Sequence, residues 1–427
     1  MKRLLISAIA LAGAVAAHAQ VDVYVCEGYD YEHISVASRT EVAFSSDQTQ
    51  VTIGDETFDL SDVDSVIFHE PQYPAVEIAW TSSGATVSVP ASISGVTYTT
   101  SGGYVTITST NTTDELLYVL SGSSSKGGLQ INGSYKMRIH LNGVSLTSLK
   151  GSPFDIECGK RIEVKLIKGT ENTFVDASTS SVKGTFYTKG HLEIKGKGTL
   201  NVTGNYKHAI CAGEYLQLKA STGTINVLAA ASDGIHCGDG EKDSEHSYFI
   251  MDGGTLNIAS VGSDCIDADD YGSIIINDGT INLDISQTDG CGLKADSCVY
   301  MNGGELALNI TGSINQGIRY NYDGYLDGGT ITGTVSGAGS KGFKAKSTSS
   351  SSTVNNGGDV HFRGTDVTLT VSGGTYTADS SKCIGIRIDK DYYQTAGAIA
   401  VTVTNSAAEG IDIKGTTYQT GGTCTVD

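Results

Sequence analysis

The sequence contains little proline, tryptophan and charge. Its 427 residues include 4 prolines, 1 tryptophan and 18% charged residues. No segment longer than about two turns combines a 3.6-residue apolar period with helix caps, which argues against a mainly helical protein. The 54 glycines do not recur at every third residue, so a collagen-like chain is excluded. An apolar content of 39% is too high for a wholly disordered chain, and we expect a folded protein.

Positive charge is scarcer than negative charge. The 28 Lys and Arg residues face 47 Asp and Glu residues, for a formal net charge of −19. Such a field repels nucleic acid, so we expect no nucleic-acid partner. A polyanionic ligand would need a local basic surface or a bridging cation, because long-range attraction has the wrong sign.

The long apolar run of this sequence lies at its N terminus. Lys2 and Arg3 precede an apolar segment from Leu4 to Ala17, and small residues end at Ala19. This order predicts a signal peptide over residues 1–19, with cleavage after Ala19. We therefore expect a protein that is secreted or displayed at the cell surface, with no membrane-spanning segment.

The nine cysteines form no CxxC pair, which makes a zinc site improbable. Cys211 and Cys237 lie 26 residues apart, as do Cys265 and Cys291. A disulfide within either pair is possible. The favoured interpretation is that the cysteines are small apolar side chains of the core.

A glycine followed by a short strand-forming segment recurs through the second half of the chain, as in TGTINV, GGTLNI and DGTINL. The spacing is most often 25 residues, and the glycines are Gly198, Gly223, Gly254, Gly279, Gly304, Gly329 and Gly374. A unit of this length with short strands fits one coil of a parallel β-helix, in which like residues of successive coils stack about 4.8 Å apart. We predict an all-β protein with a small β module at residues 20–72 and a parallel β-helix at residues 73–427.

A second repeated position, which we call the marker, is a small residue that directly precedes an apolar one. The apolar residues are Ile210, Ile235, Ile266, Leu293, Ile318, Phe343, Ile386 and Ile411. Alternation predicts that they point into the coil and that the next residue faces solvent. These outward residues are Cys211, His236, Asp267, Lys294, Arg319, Lys344, Arg387 and Asp412.

Aspartates gather near this second marker. Asp233, Asp264 and Asp289 each precede a small residue, although the register near Asp289 is ambiguous because Gly290 or Gly292 can be the marker. Asp267, Asp269 and Asp270 follow in CIDADDYG. Stacked carboxylates repel one another, and a hard cation with oxygen ligands relieves the repulsion. We predict a calcium site from these six residues; the alternative is ordinary turn chemistry of Asp before Gly.

Lys294, Arg319, Lys344 and Arg387 form a basic stripe in the predicted outward row. Two interpretations remain open. The stripe contacts an extended anionic ligand such as a uronic-acid polysaccharide, or it is neutralised internally by residues such as Asp389. No GxSxG or HExxH motif is present. A lysine beside a calcium-bound carboxylated sugar could act as the base of a β-elimination, and Lys294 is the candidate.

Three segments carry a resemblance to a known family: SDGIHCGDG, SDCIDADD, and LNGVSL followed by KGTENTFVD (residues 141–176). Through them, the sequence resembles a secreted carbohydrate-binding β-helix family known for calcium-dependent binding of polygalacturonic acid. The resemblance covers roughly residues 76–427. It implies a right-handed coil, bound calcium, an acidic polysaccharide ligand and a fold related to the family-nine pectate lyases. It carries the metal role to Asp233 and Asp264. Cys265 stands where the family has glycine, and Ser232 is followed by a single aspartate.

The predicted function is therefore non-catalytic, calcium-dependent binding of an acidic, pectin-like polysaccharide. In this interpretation, the six aspartates hold metal and the basic stripe contacts ligand carboxylates. One alternative is a pectate lyase with Lys294 as base. Another is a stiff surface rod or adhesin, with a protein partner at the insertion of residues 347–362.

Overall fold

The computed structural model describes residues 21–27, 30–36, 42–60, 63, 65–67, 73–238, 247–345 and 358–427. The predicted signal peptide and most of the two insertions that interrupt the repeat, near residues 238–248 and 347–362, lie outside these residues. Every regular element in the described ranges is a β-strand. None of these residues belongs to a helix long and apolar enough to cross a membrane. The chain divides into two compact units between Pro74 and Ala75.

The strands of the described residues are short, and most contain three to seven residues. In chain order they are β1 (Val21–Glu27), β2 (Asp30–Val36), β3 (Val42–Phe44), β4 (Gln50–Ile53), β5 (Glu56–Asp59), β6 (Ser65–Ile67), β7 (Ala75–Thr81), β8 (Gly84–Ser88), β9 (Val96–Ser101), β10 (Gly103–Ser109), β11 (Leu116–Ser124), β12 (Gly127–Asn132), β13 (Met137–Thr147), β14 (Phe154–Glu157), β15 (Ile162–Leu166), β16 (Glu171–Val175), β17 (Gly184–Thr188), β18 (Leu192–Lys195), β19 (Thr199–Gly204), β20 (His208–Ala212), β21 (Leu216–Leu218), β22 (Thr224–Ala230), β23 (Ile235–Cys237), β24 (Tyr248–Met251), β25 (Thr255–Ile258), β26 (Ile266–Ala268), β27 (Ser273–Ile276), β28 (Thr280–Ile285), β29 (Cys291–Ala295), β30 (Val299–Met301), β31 (Glu305–Ile310), β32 (Gln316–Tyr320), β33 (Gly324–Leu326), β34 (Thr330–Val335), β35 (Lys341–Ala345), β36 (Val360–Phe362), β37 (Asp366–Val371), β38 (Ile384–Ile388), β39 (Tyr392–Gln394), β40 (Ala398–Val403), β41 (Glu409–Ile413), β42 (Thr417–Gln419) and β43 (Thr423–Val426).

The first unit contains two small antiparallel sheets. Their strand orders are β2-β1-β6 and β3-β4-β5. In β4, Val51 and Ile53 are buried while Gln50 is exposed, which is the alternation expected of a strand with one solvated face. The core of this unit consists of Val23, Val25, Ile34, Val51, Ile53, Phe58 and Val63.

From β14 onward, the second unit is built from parallel ladders in which each strand pairs with the strand three elements later in the chain. Before it, β7–β8 and β9–β10 are antiparallel pairs. The first ladder includes β20, β23, β26, β29, β32, β35, β38 and β41 and belongs to a 13-stranded sheet. The second ladder runs from β15 through β18, β21 and β24 to β42, and the third from β16 through β19, β22 and β25 to β43; both belong to a 24-stranded sheet. The prediction of an all-β chain with long parallel sheets is confirmed, and this pairing makes the fold β-helix-like.

The core of the second unit consists of stacked rows of apolar side chains. Ile210 pairs with Ile235, and Ile235 pairs with Ile266, and all three are buried. Ile266 pairs with Leu293, so Gly292 is the marker in the segment whose register was ambiguous from sequence. Alternating inward residues on parallel strands thus form a continuous apolar interior.

Glycine is required at several marker positions of the first ladder, because the backbone of the next strand and the side chains of the core approach it closely. A Cβ added to Gly317 would lie 2.5 Å from the carbonyl oxygen of Gly342 and 2.8 Å from Ile310 Cδ1. A Cβ at Gly342 would meet the carbonyl oxygen of Gly385 at 2.5 Å. Real Cβ atoms do not fit at such distances, so a side chain here would force the strands apart.

All nine cysteines are free thiols, and eight of them are buried or half-buried. Cys211 pairs with His236 across the first ladder, whereas Cys237 pairs with Ala212. The two cysteines therefore occupy neighbouring positions of opposite parity and point to opposite sides of the sheet. The apolar-core interpretation of the buried cysteines agrees with these positions.

Candidate functional site

The candidate site lies on the outward side of the first ladder, at β23, β26 and β29. The eight residues predicted to face outward are in register along the ladder, and they form what we call the charged row: Cys211, His236, Asp267, Lys294, Arg319, Lys344, Arg387 and Asp412. Solvent exposure was expected for all of them. That expectation is wrong for Cys211, His236 and Asp267, which are 0%, 7% and 4% exposed.

A second set of side chains explains this burial. His208, Asp233 and Asp264 each stand one residue before the marker, and each is itself buried. The small residue that follows allows the side chain to reach the outward residue three positions later. Asp233 Oδ2, for example, lies 3.3 Å from His236 Nδ1. Two rows therefore pack together on this face, where the sequence suggested a single solvated one.

Three aspartates converge here, and we call them the carboxylate cluster: Asp233, Asp264 and Asp267. Each offers a carboxylate oxygen, and the three oxygens lie within 4.8 Å of one another. The backbone fixes two of the groups. Asp233 Oδ1 accepts a hydrogen bond of 3.0 Å from the amide of Asp264, and Asp264 Oδ1 accepts one of 2.7 Å from the amide of Cys291. The stacking of the strands thus orients these carboxylates.

Two cationic side chains contact the carboxylate cluster. Lys294 Nζ lies 2.9 Å from Asp267 Oδ2 and 3.3 Å from Asp264 Oδ2. His236 Nδ1 lies 3.5 Å from Asp267 Oδ2, in addition to its contact with Asp233. Buried charges are stabilised only when they are paired, so these contacts explain how three carboxylates share one buried region.

The pKa values follow from this pairing. Burial by itself raises the pKa of Asp233, but hydrogen bonds from His208 and His236 hold it well below its usual range. Burial lowers the pKa of His236, yet Asp233 and Asp267 raise it to about 9. Burial also opposes the charge of Lys294, but Asp267 and Asp264 raise its pKa above the usual value. His236 and Lys294 are therefore both positively charged at neutral pH.

His208 was not predicted from the sequence as part of the site, and His236 was assigned no role. The rings of His208 and His236 stack with centroids 4.3 Å apart and planes inclined by 12°. His208 Nδ1 lies 2.9 Å from Asp233 Oδ2, and burial lowers the pKa of this histidine. The repeat itself could have indicated His208, because this residue, like Asp233 and Asp264, stands one residue before the marker.

The carboxylate cluster fits a hard cation. Its donors are oxygens, which calcium prefers, and Asp267 Oδ1 is buried with no hydrogen-bond partner among the described residues. Calcium takes six to eight oxygen ligands, so the others would come from water or from a ligand. The histidines do not suit calcium, because imidazole nitrogen is a ligand of transition metals.

Three of the six aspartates predicted to bind metal lie outside the carboxylate cluster. Asp289 is exposed and stands two residues before the position of Asp264, because the marker is Gly292. Asp269 lies beside Asp296, and burial together with this neighbour raises the pKa of Asp296 to about 6. Asp270 is in a turn with a φ of 50°, where its amide donates to Asp269 Oδ1.

The basic stripe is largely paired with internal carboxylates. Beyond Lys294, Asp389 Oδ2 lies 2.9 Å from Lys344 Nζ and Asp389 Oδ1 lies 3.0 Å from Arg387 Nε. Arg387 Nη1 also lies 2.7 Å from Asp412 Oδ2. Arg319 differs, since no carboxylate of the described residues lies within ion-pair distance of its guanidinium. Internal neutralisation thus accounts for three of the four cations, and Arg319 is the exception.

The family model described as "Carbohydrate-binding domain-containing protein" matches residues 101–427. The chain belongs to this family. The matched residues of this carbohydrate-binding domain protein include the charged row and the carboxylate cluster.

A curated relative carries the same description. It is a carbohydrate-binding domain-containing protein of Acetivibrio thermocellus, 27% identical over 123 residues, which amounts to 26% of this chain and 42% of the relative. The chain thus spans less than half the length of that relative. Among solved structures, the polysaccharide lyase-like protein from C. thermocellum, studied as a gadolinium derivative, aligns with a TM-score of 0.40 and 16% identity, over 79% of this chain and 99% of that chain.

Proposed function

We propose that this protein binds an acidic polysaccharide of the uronic-acid type without cleaving it. The observation that carries the proposal is the convergence of Asp233, Asp264 and Asp267 beside Lys294, at the end of a row of cations. A chain of net charge −19 repels a polyanion at long range, so binding requires local positive charge. Arg319, whose charge no internal carboxylate of the described residues offsets, and a bound cation at the carboxylate cluster would supply it.

Calcium is the proposed cofactor, held by Asp233, Asp264 and Asp267. A bound calcium would neutralise the carboxylate cluster and accept carboxylate oxygens of the ligand as further ligands. Its charge would compete with Lys294 and His236 for the same aspartates. Arg319 is the residue best placed to pair with a ligand carboxylate, because it has no internal carboxylate partner in the described part of the chain.

Several finer features of the molecule belong to the same proposal. We propose a right-handed coil of about 25 residues, since ladder contacts repeatedly join residues 25 apart, as from Asn302 Nδ2 to Asn277 Oδ1. The N-terminal residues 1–19 are proposed to act as an export signal. The protein would then meet its polysaccharide outside the cell, where calcium is abundant.

The alternative function is β-elimination of a uronic-acid polysaccharide, with Lys294 as the base. A general base has to be unprotonated when it removes the proton. Lys294 instead lies between two carboxylates that raise its pKa, which favours a role in binding. This is why we propose binding before lyase activity.

One experiment separates the two functions. Purified protein is incubated with polygalacturonate in calcium and then in chelator, and retention and ultraviolet absorbance are measured in the same samples. Binding predicts calcium-dependent retention with constant absorbance. Rising absorbance that Lys294→Ala abolishes would indicate an unsaturated product and hence a lyase.

A matched pair of variants tests the carboxylate cluster. Asp264→Asn alters a cluster residue, whereas Asp289→Asn alters an exposed aspartate outside the cluster and keeps a side chain that tolerates a positive φ. Retention should fall at least tenfold in Asp264→Asn and in Arg319→Ala, and should be unchanged in Asp289→Asn. Unchanged retention in both Asp264→Asn and Arg319→Ala would refute the proposal.

A further inference from the structure

A trough of about 760 Å³ lies on the outward side of the third ladder, away from the charged row. It crosses six consecutive strands of this ladder: β22, β25, β28, β31, β34 and β37. At about 4.8 Å between neighbouring strands, five intervals make it about 24 Å long. This is enough for several sugar units of an extended chain.

A row of stacked amides, which we call the asparagine row, lies along one wall of the trough. It consists of Asn201, Asn226, Asn257 and Asn282, and the last three line the trough. Asn226 Nδ2 donates to Asn201 Oδ1, Asn257 Nδ2 to Asn226 Oδ1 and Asn282 Nδ2 to Asn257 Oδ1, each over 2.8 Å. A carboxamide has two N–H donors and two acceptor lone pairs. The two central amides, Asn226 and Asn257, therefore each keep one donor and one acceptor for a ligand. The last three strands of the trough carry Ala307, Thr332 and Thr368 at this position.

The other wall combines polar and apolar contacts. Asn309 Nδ2 donates to Asp284 Oδ1, and Thr334 Oγ1 donates to Asn309 Oδ1, both over 3.1 Å. Leu228 projects into the trough and is 52% exposed. A shift of register between β19 and β22 places Leu228 as an extra residue of its strand. Such bulges redirect a side chain, and here the redirected side chain is a large apolar one on a solvated face.

The charge of the trough distinguishes it from the charged row. Asp284 is the single ionisable residue among those that line it. The rest of the lining consists of amide, hydroxyl, glycine and aliphatic groups. A lining of this kind offers hydrogen bonds to hydroxyl groups and apolar contact to C–H surfaces, but it offers no counter-charge to a carboxylate.

We propose that this trough is a second carbohydrate site, which binds a neutral, extended polysaccharide chain lying along the stack of strands. Repeated donor and acceptor pairs on the asparagine row match the repeated hydroxyl groups of such a chain. Leu228 packs against a sugar ring at one end. The inference extends the proposed carbohydrate binding but does not depend on calcium, on Arg319 or on an acidic ligand.

Titration calorimetry with neutral hexasaccharides tests the inference on the full chain. Xylohexaose, mannohexaose and cellohexaose are titrated into the protein with chelator present, and at least one should bind. Thr332 is an exposed residue inside the trough, so Thr332→Arg should obstruct it and weaken binding at least tenfold, while Thr332→Ser should bind like the parent chain. Asn257→Ala should weaken binding severalfold, with thermal unfolding used to confirm that the variant is folded.

The controls keep this inference separate from the proposed function. Asp264→Asn should bind the neutral hexasaccharide as the parent does, and Thr332→Arg should retain polygalacturonate as the parent does. Failure of all three hexasaccharides to bind, or equal binding by Thr332→Arg and the parent, would overturn the neutral site. Neither result would affect polygalacturonate retention, which tests the charged row alone.

Discussion

The charged row and the asparagine row are built on the same spacing between strands, yet they differ in how neighbours interact. An amide both donates and accepts, so identical asparagines pair along the row, as Asn257 does with Asn226. Identical charges about 5 Å apart repel by about 0.8 kcal/mol even in water. The charged row nevertheless contains four consecutive cations, Lys294 to Arg387, and carboxylates at neighbouring positions, such as Asp264 and Asp389, offset most of their repulsion. Identical amides can form hydrogen bonds with one another along a row, whereas identical charges require neighbours or a ligand of opposite charge.

This difference predicts how each row responds to substitution. Removing one member of the charged row leaves a buried partner charge without compensation. Removing one asparagine costs hydrogen bonds between neutral groups that water can partly replace. The expected losses of stability should therefore be larger in the charged row, and the predictions below test this order.

The largest effect is expected for Lys294→Met, which leaves Asp264 buried without its cation and Asp267 with His236 as its remaining cationic contact. We expect a loss of about 3 kcal/mol in the free energy of unfolding, measured by urea denaturation in chelator. Added calcium should recover part of the loss, since the cation would compensate the same carboxylates. In Lys344→Met the loss should be smaller, because Arg387 still contacts Asp389. Equal losses in the two variants would contradict the comparison.

Asp155 tests an acidic residue that lies in register with the charged row, two strands before Cys211, and forms no ion pair with a cation of the described residues. Burial raises its pKa to about 6, with a hydrogen bond from Gln130 opposing and Glu157 adding to the shift. Because the folded pKa exceeds the unfolded value of 3.8, the folded state holds the proton more tightly. Stability should therefore decline as the pH rises from about 4 to about 6, by up to about 3 kcal/mol.

Urea denaturation across this pH range measures the Asp155 effect. The variant Asp155→Asn should lose this part of the pH dependence and be more stable than the parent at pH 7. An identical slope in parent and variant would show that Asp155 is not the group responsible.

The asparagine row should show a smaller effect that depends on position. Asn257 takes part in two bonds of the row and Asn282 in one. We expect Asn257→Ala to lower the free energy of unfolding by about 1 kcal/mol, and Asn282→Ala by about half as much. Denaturation of both variants at one pH checks the ratio, and equal losses would indicate that the bonds of the row contribute little.

The smallest effect is expected for an exposed ion pair on the 24-stranded sheet. Arg363 Nε lies 2.6 Å from Asp327 Oδ1, and both side chains are more than a third exposed. The guanidinium also lies 5.1 Å from the ring centroid of Tyr325. Arg363→Ala should cost about 0.5 kcal/mol, and less in high salt. A loss of stability as large as that of Lys294→Met would show that burial does not explain why removing a charge is costly in the charged row.

Much of the fold could be predicted from the repeat. The inward row containing Ile235, Ile266 and Leu293 was assigned from alternation, and the strands pair in that register. The same alternation placed Asp267, Lys294 and Arg319 in one outward row. These assignments succeed because parity within a strand and stacking between strands are local properties of the sequence.

The site could be predicted only in part. Asp289 was grouped with Asp264, although the register places it two residues away and in solvent. His208 was overlooked, although it contacts Asp233. The first error is one of register, because either Gly290 or Gly292 could be the marker. The second concerns the residue before the marker, where the backbone turns and strict alternation ends. A pattern of period two cannot indicate which way such a residue points.

The sequence alone determined the β-rich fold, the inward rows and the order of charges along the first ladder, because these depend on residue type and spacing. Only the tertiary structure decided which carboxylates meet, which cations are already paired and which outward face forms a trough. Those features depend on side chains from strands about 25 or more residues apart, and on a bulge at Leu228 that shifts the register by one residue. Distances of a few ångströms between stacked strands, rather than residue types, decide whether a row of charges is neutralised internally or left for a ligand.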